Sequence, residues 1–274
     1  RDELSLTGDL SMRVYEGGFF SSRHALAGCR LNDGSVRLFS TLTGEVLRDL
    51  PPGERPATVV RLSPEGDVVA VGTRGGALRL FDVQSGEQLL RVQAHDRKQI
   101  PHLAFSPDGS RVATATRRNV AVWDVATGTA LGTWENAHAV GINAVRIAPD
   151  GERVATGSND GTVKFWRPGE AAPVGVLEGH EGAVMDFCFA GDEARRVITA
   201  STDGSVRTWD TDSYQILTVM RVSGESFGSV AIDPGKRRIA ACGERGLLYV
   251  WDSTPAVSRH RLWLAAEREA GEAD

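Results

Sequence analysis

Short apolar runs separated by polar turn residues follow one another along the whole chain. In one stretch the runs cover residues 100–105, 111–116, 120–123 and 130–134, and each is rich in β-branched, aliphatic or aromatic side chains. Gly, Pro, Asp and Ser fill the gaps between the runs, which is the composition of turns. Runs of this length with these boundaries predict β-strands rather than helices. The pattern therefore predicts an all-β protein.

The same pattern recurs with a fixed period. An aromatic residue closes one apolar run in each unit, and the intervals of 42, 42, 43, 43 and 42 residues join Phe39, Phe81, Trp123, Trp166, Trp209 and Trp251. A tight turn recurs in phase at residues 63–66, 106–109 and 148–151, with Pro second and Gly fourth. Pro presets φ and Gly tolerates positive φ, as such a turn requires. Each unit is predicted to be a four-stranded antiparallel sheet.

The residues at the ends of the third strands resemble those of a known protein family. Aspartate follows the aromatic residue in four units, at Asp82, Asp124, Asp210 and Asp252. Six in-phase units of this kind resemble WD repeats, and the resemblance covers residues 12–264. It implies a β-propeller, in which four-stranded blades stack around a central channel. Residues 1–264 are expected to form one propeller domain, followed by a C-terminal tail at residues 265–274.

The number of blades is open between six and seven. Six strand-closing aromatics are present, whereas the family usually closes its ring with seven blades. Residues 258–264 stand where a fourth strand stands in earlier units, so the sixth blade could complete itself. Residues 6–10 repeat the pattern of residues 42–46 and would then belong to a seventh blade, with material before Arg1. The seven-blade alternative is slightly favoured.

The WD-repeat resemblance also implies a buried hydrogen-bonded tetrad of His, Ser or Thr, Asp and Trp. Two units match it, with His138, Thr156, Asp160 and Trp166 in one and His180, Thr199, Asp203 and Trp209 in the other. Ser158 or Ser201 could take the hydroxyl role instead. Ser or Thr beside His and Asp also occurs in hydrolases, but no Gly-x-Ser-x-Gly turn presents a nucleophile here. The remaining units depart from the pattern and are expected to depend mainly on apolar packing.

Metal and cofactor sites are not indicated. His95 and His102 lack a carboxylate or thiolate at metal-ligand spacing, and no repeat requires a cofactor. The three cysteines, Cys29, Cys188 and Cys242, form no C-x-x-C pair and are expected to be buried free thiols in a reducing compartment.

The composition indicates which classes of partner and which cellular location to expect. The formal net charge of −5 and the pI near 5.7 disfavour binding to nucleic acid or to an anionic membrane, which requires a positive field. No apolar run has the length of a membrane span and no signal peptide begins the chain, so a cytoplasmic location is expected. Only three of the 31 basic residues are lysine, which together with the Ala and Gly content suggests a GC-rich, bacterial genome.

Six cations stand out against this acidic background. The family topology places loops of the second and third blades on one face, and those loops carry Arg55, Arg74, Arg97, Lys98, Arg117 and Arg118. We expect this face to bind an acidic protein partner. The favoured function is a non-catalytic scaffold or sensor module, attached to or associated with another domain or subunit of a larger bacterial signalling or defence protein. The alternative is a propeller enzyme with its active site on the loops.

Overall fold

The computed structural model describes residues 15–21, 24–31, 33–191, 195–233, 235 and 238–252. Strands are the regular elements of this part of the chain, which contains no helix long and apolar enough to cross a membrane. The strands form six successive sheets, and within each sheet they lie side by side in chain order, all antiparallel. The prediction of an all-β fold built from antiparallel units is confirmed.

We number the sheets as blades 1 to 6 and letter their strands a to d in chain order. Blade 1 contains β1 (Tyr15–Ser21), β2 (Leu26–Arg30), β3 (Val36–Ser40) and β4 (Val46–Leu50). Blade 2 contains β5 (Ala57–Leu62), β6 (Val68–Thr73), β7 (Ala77–Asp82) and β8 (Gln88–Gln93). Blade 3 contains β9 (His102–Phe105), β10 (Arg111–Ala115), β11 (Val120–Asp124) and β12 (Ala130–Trp134).

The second half of the chain repeats this arrangement. Blade 4 contains β13 (Ile142–Ile147), β14 (Val154–Ser158), β15 (Val163–Trp166) and β16 (Gly175–Leu177). Blade 5 contains β17 (Val184–Phe189), β18 (Arg196–Ser201), β19 (Ser205–Asp210) and β20 (Ile216–Arg221). Blade 6 contains, within the described residues, β21 (Phe227–Ile232), β22 (Arg238–Gly243) and β23 (Leu248–Asp252). The expected fourth strand at 258–264, the segment 6–10 and the domain boundary at 264 lie outside those residues.

The periodic turns join strands a and b as the sequence predicts. The Gly66 N–H donates to the Ser63 carbonyl oxygen at 3.0 Å, and the Gly109 N–H donates to that of Ser106 at 2.9 Å. Both glycines have positive φ, of 81° and 72°. Because a side chain at such a φ is strained, glycine at the fourth position permits the reversal.

Apolar residues from neighbouring blades form a separate core in each of five interfaces. Phe81 packs with Leu38 of blade 1, and Trp123 packs with Leu80 of blade 2. In the same way, the c strands of the later blades place three tryptophans against the preceding blade, at Trp166, Trp209 and Trp251. The repeated aromatic residue therefore joins blades.

The antiparallel order brings each b–c turn and each connection between blades to the same end of the molecule. We call this end the upper face, and the end with the a–b and c–d turns the lower face. Among the described residues, no strand of blade 6 packs extensively against blade 1. Whether the ring has six or seven blades stays a prediction.

The cysteines differ from expectation. Cys29 and Cys188 are half-buried, and Cys242 is exposed, although all three are free thiols. Cys242 lies in β22 next to Ala241, and it is Ala241 rather than Cys242 that packs in the core shared with blade 5. The expectation of buried cysteines was therefore wrong, because an apolar run alone does not show which of its alternating positions face the cores between blades.

Candidate interaction surface

In blade 4, one hydrogen-bonded chain connects the upper-face turn to the core. The His138 Nδ1–H donates to Asp160 Oδ2 at 2.9 Å, and His138 Nε2 lies 2.7 Å from Thr156 Oγ1. The Trp166 Nε1–H donates to the same hydroxyl oxygen at 2.9 Å. With the Nδ1 proton directed at the carboxylate, Nε2 accepts the threonine hydroxyl proton. Ser158 instead donates to the Gly141 carbonyl oxygen.

Blade 5 has the same chain and adds a buried arginine. His180 contacts Asp203 Oδ2 at 2.9 Å and Thr199 Oγ1 at 2.6 Å, and the Trp209 indole donates to Thr199 at 2.8 Å. Arg207 Nη2 also donates to Asp203 Oδ2, at 3.2 Å. The Asp203 side chain is only 4% exposed, whereas that of Asp160 is 17% exposed.

The charges in these networks are fixed by burial and hydrogen bonding. Burial lowers the pKa of His138 and of His180 in spite of the adjacent carboxylates, which keeps the imidazoles neutral near pH 7. Burial would raise the pKa of Asp203, but hydrogen bonds from Ser205 and His180 outweigh it and hold the pKa well below its usual range. Each network thus contains a neutral imidazole beside an ionised carboxylate.

These groups are arranged for structure rather than for nucleophilic attack. The Thr156 and Thr199 residues are fully buried, with 0% exposure. Each hydroxyl oxygen already accepts an indole N–H, so a substrate carbonyl has no approach to it. A hydrolytic serine, in contrast, is exposed beside an oxyanion hole.

Blade 3 contains a shortened version of this network that the sequence pattern had not revealed. His95 Nε2 and Thr114 Oγ1 share a hydrogen bond of 2.9 Å, and the Trp123 indole donates to Thr114 at 3.1 Å. No carboxylate of the described residues joins the group, and burial lowers the pKa of His95 to about 4. The expectation that blade 3 depends mainly on apolar packing was incomplete. A signal was present, because His95 precedes His138 by 43 residues, which is one period.

Blade 6 replaces the network with a different polar contact. The Tyr249 hydroxyl donates to Glu225 Oε2 at 2.9 Å, and the Ser226 and Arg245 backbone N–H groups donate to Oε1. Glu225 is buried beneath the upper face. The blades therefore differ in their chemistry mainly at the upper-face turn. The core beneath that turn is apolar or fully hydrogen-bonded.

The six candidate cations all lie on the upper face of blades 2 and 3, and all are exposed. Within the described residues none of the six forms an ion pair. The structure brings five of them together in two groups. Arg55 and Arg74 belong to one, because the Arg55 side chain packs against Gly75. Lys98, Arg117 and Arg118 belong to the other.

The second group surrounds a pocket of about 630 Å³ on blade 3. Its wall combines the connection from blade 2, the b–c turn and the connection to blade 4, and its polar residues are Lys98, Gln99, Thr116, Arg117, Arg118, Asn119 and Asn136. The Arg118 Nε–H donates to the His138 carbonyl oxygen at 3.1 Å, which holds this guanidinium beside the pocket. Arg97 is adjacent in sequence but does not line the pocket.

Other candidate chemistry has structural roles. His102 Nε2–H donates to the Ile142 carbonyl oxygen at 3.2 Å, and burial lowers the pKa of His102 to about 4. In the described residues, no three His, Cys, Asp or Glu side chains come close enough to hold a metal ion. The upper face of blade 3 is therefore the best candidate for a binding site.

Two family models match the chain. The model of the Nucleolar protein 10-like N-terminal domain, a β-propeller, matches residues 43–151, and the model of the WD domain, G-beta repeat, matches residues 171–210. Together they cover units in both halves of the chain, in agreement with the repeat period.

Similar proteins come from plants and yeast. The chain is 30% identical over 143 residues to a guanine nucleotide-binding protein subunit beta of Solanum tuberosum, covering 49% of this chain and 38% of that protein. It is 28% identical over 237 residues to Periodic tryptophan protein 2 of Saccharomyces cerevisiae, covering 66% and 26%. It is 29% identical over 176 residues to Autophagy-related protein 16 of Arabidopsis thaliana, covering 63% and 34%. The chain spans less than half the length of each of these relatives.

Proposed function

Because this chain is built from WD-repeat propeller blades, we propose that it is a non-catalytic protein-interaction module that binds an acidic partner through the upper face of blades 2 and 3. The observation that carries the proposal is the group of six exposed cations on that face, none of which is ion-paired within the described residues. The chain as a whole is acidic, with a formal net charge of −5. These six positive charges are therefore presented where a partner can reach them.

Folding stability does not explain this arrangement. Exposed like charges repel one another, and even a well-formed surface ion pair contributes only about 0–1 kcal/mol. Five of the six residues are arginine, whose planar guanidinium binds carboxylate or phosphate groups through two parallel hydrogen bonds. Binding of an acidic partner accounts for both the clustering and the choice of arginine.

The biological setting extends the proposal. We place the module in the cytoplasm, as the scaffold or sensor part of a larger signalling or defence protein. The low lysine content supports a bacterial source, while the relatives reported above come from plants and yeast. The name of one relative describes a subunit, which fits a module that acts within an assembly.

The test is partner binding by a charge-reversed variant. With the parent protein as bait, a partner is isolated from extract of the source organism, purified, and its association rate is measured at low salt. Replacing Arg74, Arg117 and Arg118 by Glu should slow association at least about tenfold, because complementary charges accelerate encounter. Rising salt should slow the parent in the same way.

A matched triple variant controls for the change in net charge. Arg167, Arg196 and Arg238 are also exposed and lie at the lower face, away from the upper face. Replacing these three by Glu should leave the association rate close to that of the parent. Equal rates for the two triple variants would overturn the proposal, since the upper-face cations would then be ordinary solvated residues.

A further inference from the structure

The b–c turn of blade 3 differs chemically from the corresponding turns of blades 4 and 5. In those blades the turn contains Asp160 or Asp203, whose carboxylate accepts the imidazole N–H beneath it. Blade 3 has Arg117 and Arg118 at this place, and its turn is one residue shorter than that of blade 4. A buried carboxylate has thus been exchanged for two guanidinium groups, although His95 and Thr114 are still hydrogen-bonded below.

The pocket beside this turn is rich in cationic hydrogen-bond donors. Lys98, Arg117 and Arg118 supply cationic N–H groups, and the eight residues that line the pocket include no carboxylate. The side-chain oxygen of Asn119 accepts the Asn136 backbone N–H at 3.2 Å. This bond leaves the Asn119 amide NH₂ as the group with hydrogens to donate to a ligand.

The volume of the pocket is ample for one side chain of a partner and far exceeds that of a solvent molecule. Its value of about 630 Å³ falls within the range of ligand pockets, roughly 300–1,000 Å³. It is open to the upper face, where the other exposed cations can contact the flanking parts of an extended segment.

We propose that the pocket of blade 3 receives one anionic side chain, a carboxylate or a phosphate, from the centre of an extended acidic peptide. The inference rests on the proposed function and identifies the group of the partner that enters. Cations from the connection and from the b–c turn neutralise the anion, while Asn119 and Gln99 contribute neutral hydrogen bonds. Arg55 and Arg74, outside the pocket, attract the acidic flanks of the same peptide.

The experiment places a carboxylate in the pocket with minimal change in shape. Asn119→Asp keeps the oxygen that accepts the Asn136 N–H and replaces the NH₂ donor by a second carboxylate oxygen. The probe is a labelled Gly-Ser peptide with three central glutamates, and binding to the whole protein is measured by fluorescence anisotropy at low salt. Asn119→Asp should weaken binding at least about tenfold, the ratio that ~1.4 kcal/mol produces.

The control variant adds the same charge elsewhere. Gln84 is exposed in the c–d turn of blade 2, on the lower face. Gln84→Glu should bind the peptide like the parent, because its new charge is remote from the pocket. If Asn119→Asp and Gln84→Glu bind the peptide equally, the pocket does not receive the anion and the inference is wrong.

Two further probes identify the anion and exclude another class of partner. The same peptide with a central phosphoserine in place of the glutamates should also bind and should also be weakened by Asn119→Asp, whereas a glutamine version should not bind. The anionic peptide that binds with the higher affinity shows which group the pocket prefers. Preference for a single-stranded oligonucleotide over both anionic peptides would overturn the inference.

The partner-binding measurement separates this inference from the proposed function. If the triple Glu variant of Arg74, Arg117 and Arg118 loses the partner while Asn119→Asp retains it, the face binds the partner but the pocket does not. If both variants retain the partner, the proposed function fails as well.

Discussion

At the scale of residues, the two complete His–Thr–Asp–Trp networks differ in how completely water is excluded from their carboxylates. Asp203 is nearly inaccessible and is contacted by His180, Arg207 and Ser205, whereas Asp160 is partly exposed and has no arginine partner among the described residues. Removing a group from a buried network leaves its former partners without hydrogen bonds. The cost therefore rises with the number and charge of those partners.

We expect Asp203→Ala to destabilise the protein more than Asp160→Ala. Loss of Asp203 leaves the buried Arg207 guanidinium uncompensated and should reduce the free energy of unfolding by about 3 kcal/mol. Loss of Asp160 should cost about 1–2 kcal/mol, since water can reach the vacated position. Urea unfolding of both variants against the parent measures the difference. Equal stability of the two variants would contradict the role assigned to Arg207.

A second prediction concerns the pH dependence of stability. The pKa of His95 is about 4 in the folded protein, below the ordinary value of 6.5, because burial disfavours the charged imidazole. Between these two values the unfolded chain binds more protons than the folded one, so stability falls as the pH drops from about 6.5 to about 4. Over this window His95 contributes a loss of up to ~3 kcal/mol.

The variant His95→Gln isolates this contribution from that of His102, which is also buried. Its stability should change less between pH 7 and pH 4.5 than that of the parent, as measured by urea unfolding at each pH. Identical pH profiles for parent and variant would show that His95 is not held neutral in the folded state.

At the scale of elements, the sequence predicts the strands and the periodic turns well because both depend on local chemistry. The alternation of apolar runs and the Pro and Gly positions of the turns are properties of a few adjacent residues. In blade 3 the predicted strand at residues 100–105 begins two residues later, at His102, since Pro101 has no N–H to donate to a neighbouring strand. The periodic aromatic residues equally identify the core between blades.

Features that depend on contacts between elements are harder to predict from the sequence. The His95 network joins a connection, a b strand and a c strand, and its histidine is recognisable only through the period of 43 residues to His138. The exposure of Cys242 depends on which positions of its strand face the core shared with blade 5. The grouping of Lys98 with Arg117 and Arg118 around one pocket required the positions of two connections and a turn. The sequence predicted the shared face but not the pocket.

Across the molecule, the cores between blades repeat from one blade to the next, whereas the residues of the upper-face turns vary. Each of the five described interfaces has its own apolar core, and tryptophan or phenylalanine of the c strand recurs in it. This frame holds the upper-face turns in place while tolerating different residues in them. Blades 4 and 5 use the turn to complete a buried network, and blade 3 uses it to expose two arginines.

We propose that the partner binds this upper face, at blades 2 and 3. Hydrogen–deuterium exchange of the protein, alone and with its purified partner, locates the covered backbone without any substitution. Binding should slow exchange in the segments 94–101 and 116–119 of the upper face and leave the lower-face turns at 84–87 and 125–129 unchanged. Protection confined to the lower face or to the outer strands β4, β8 and β20 would show that the partner binds elsewhere.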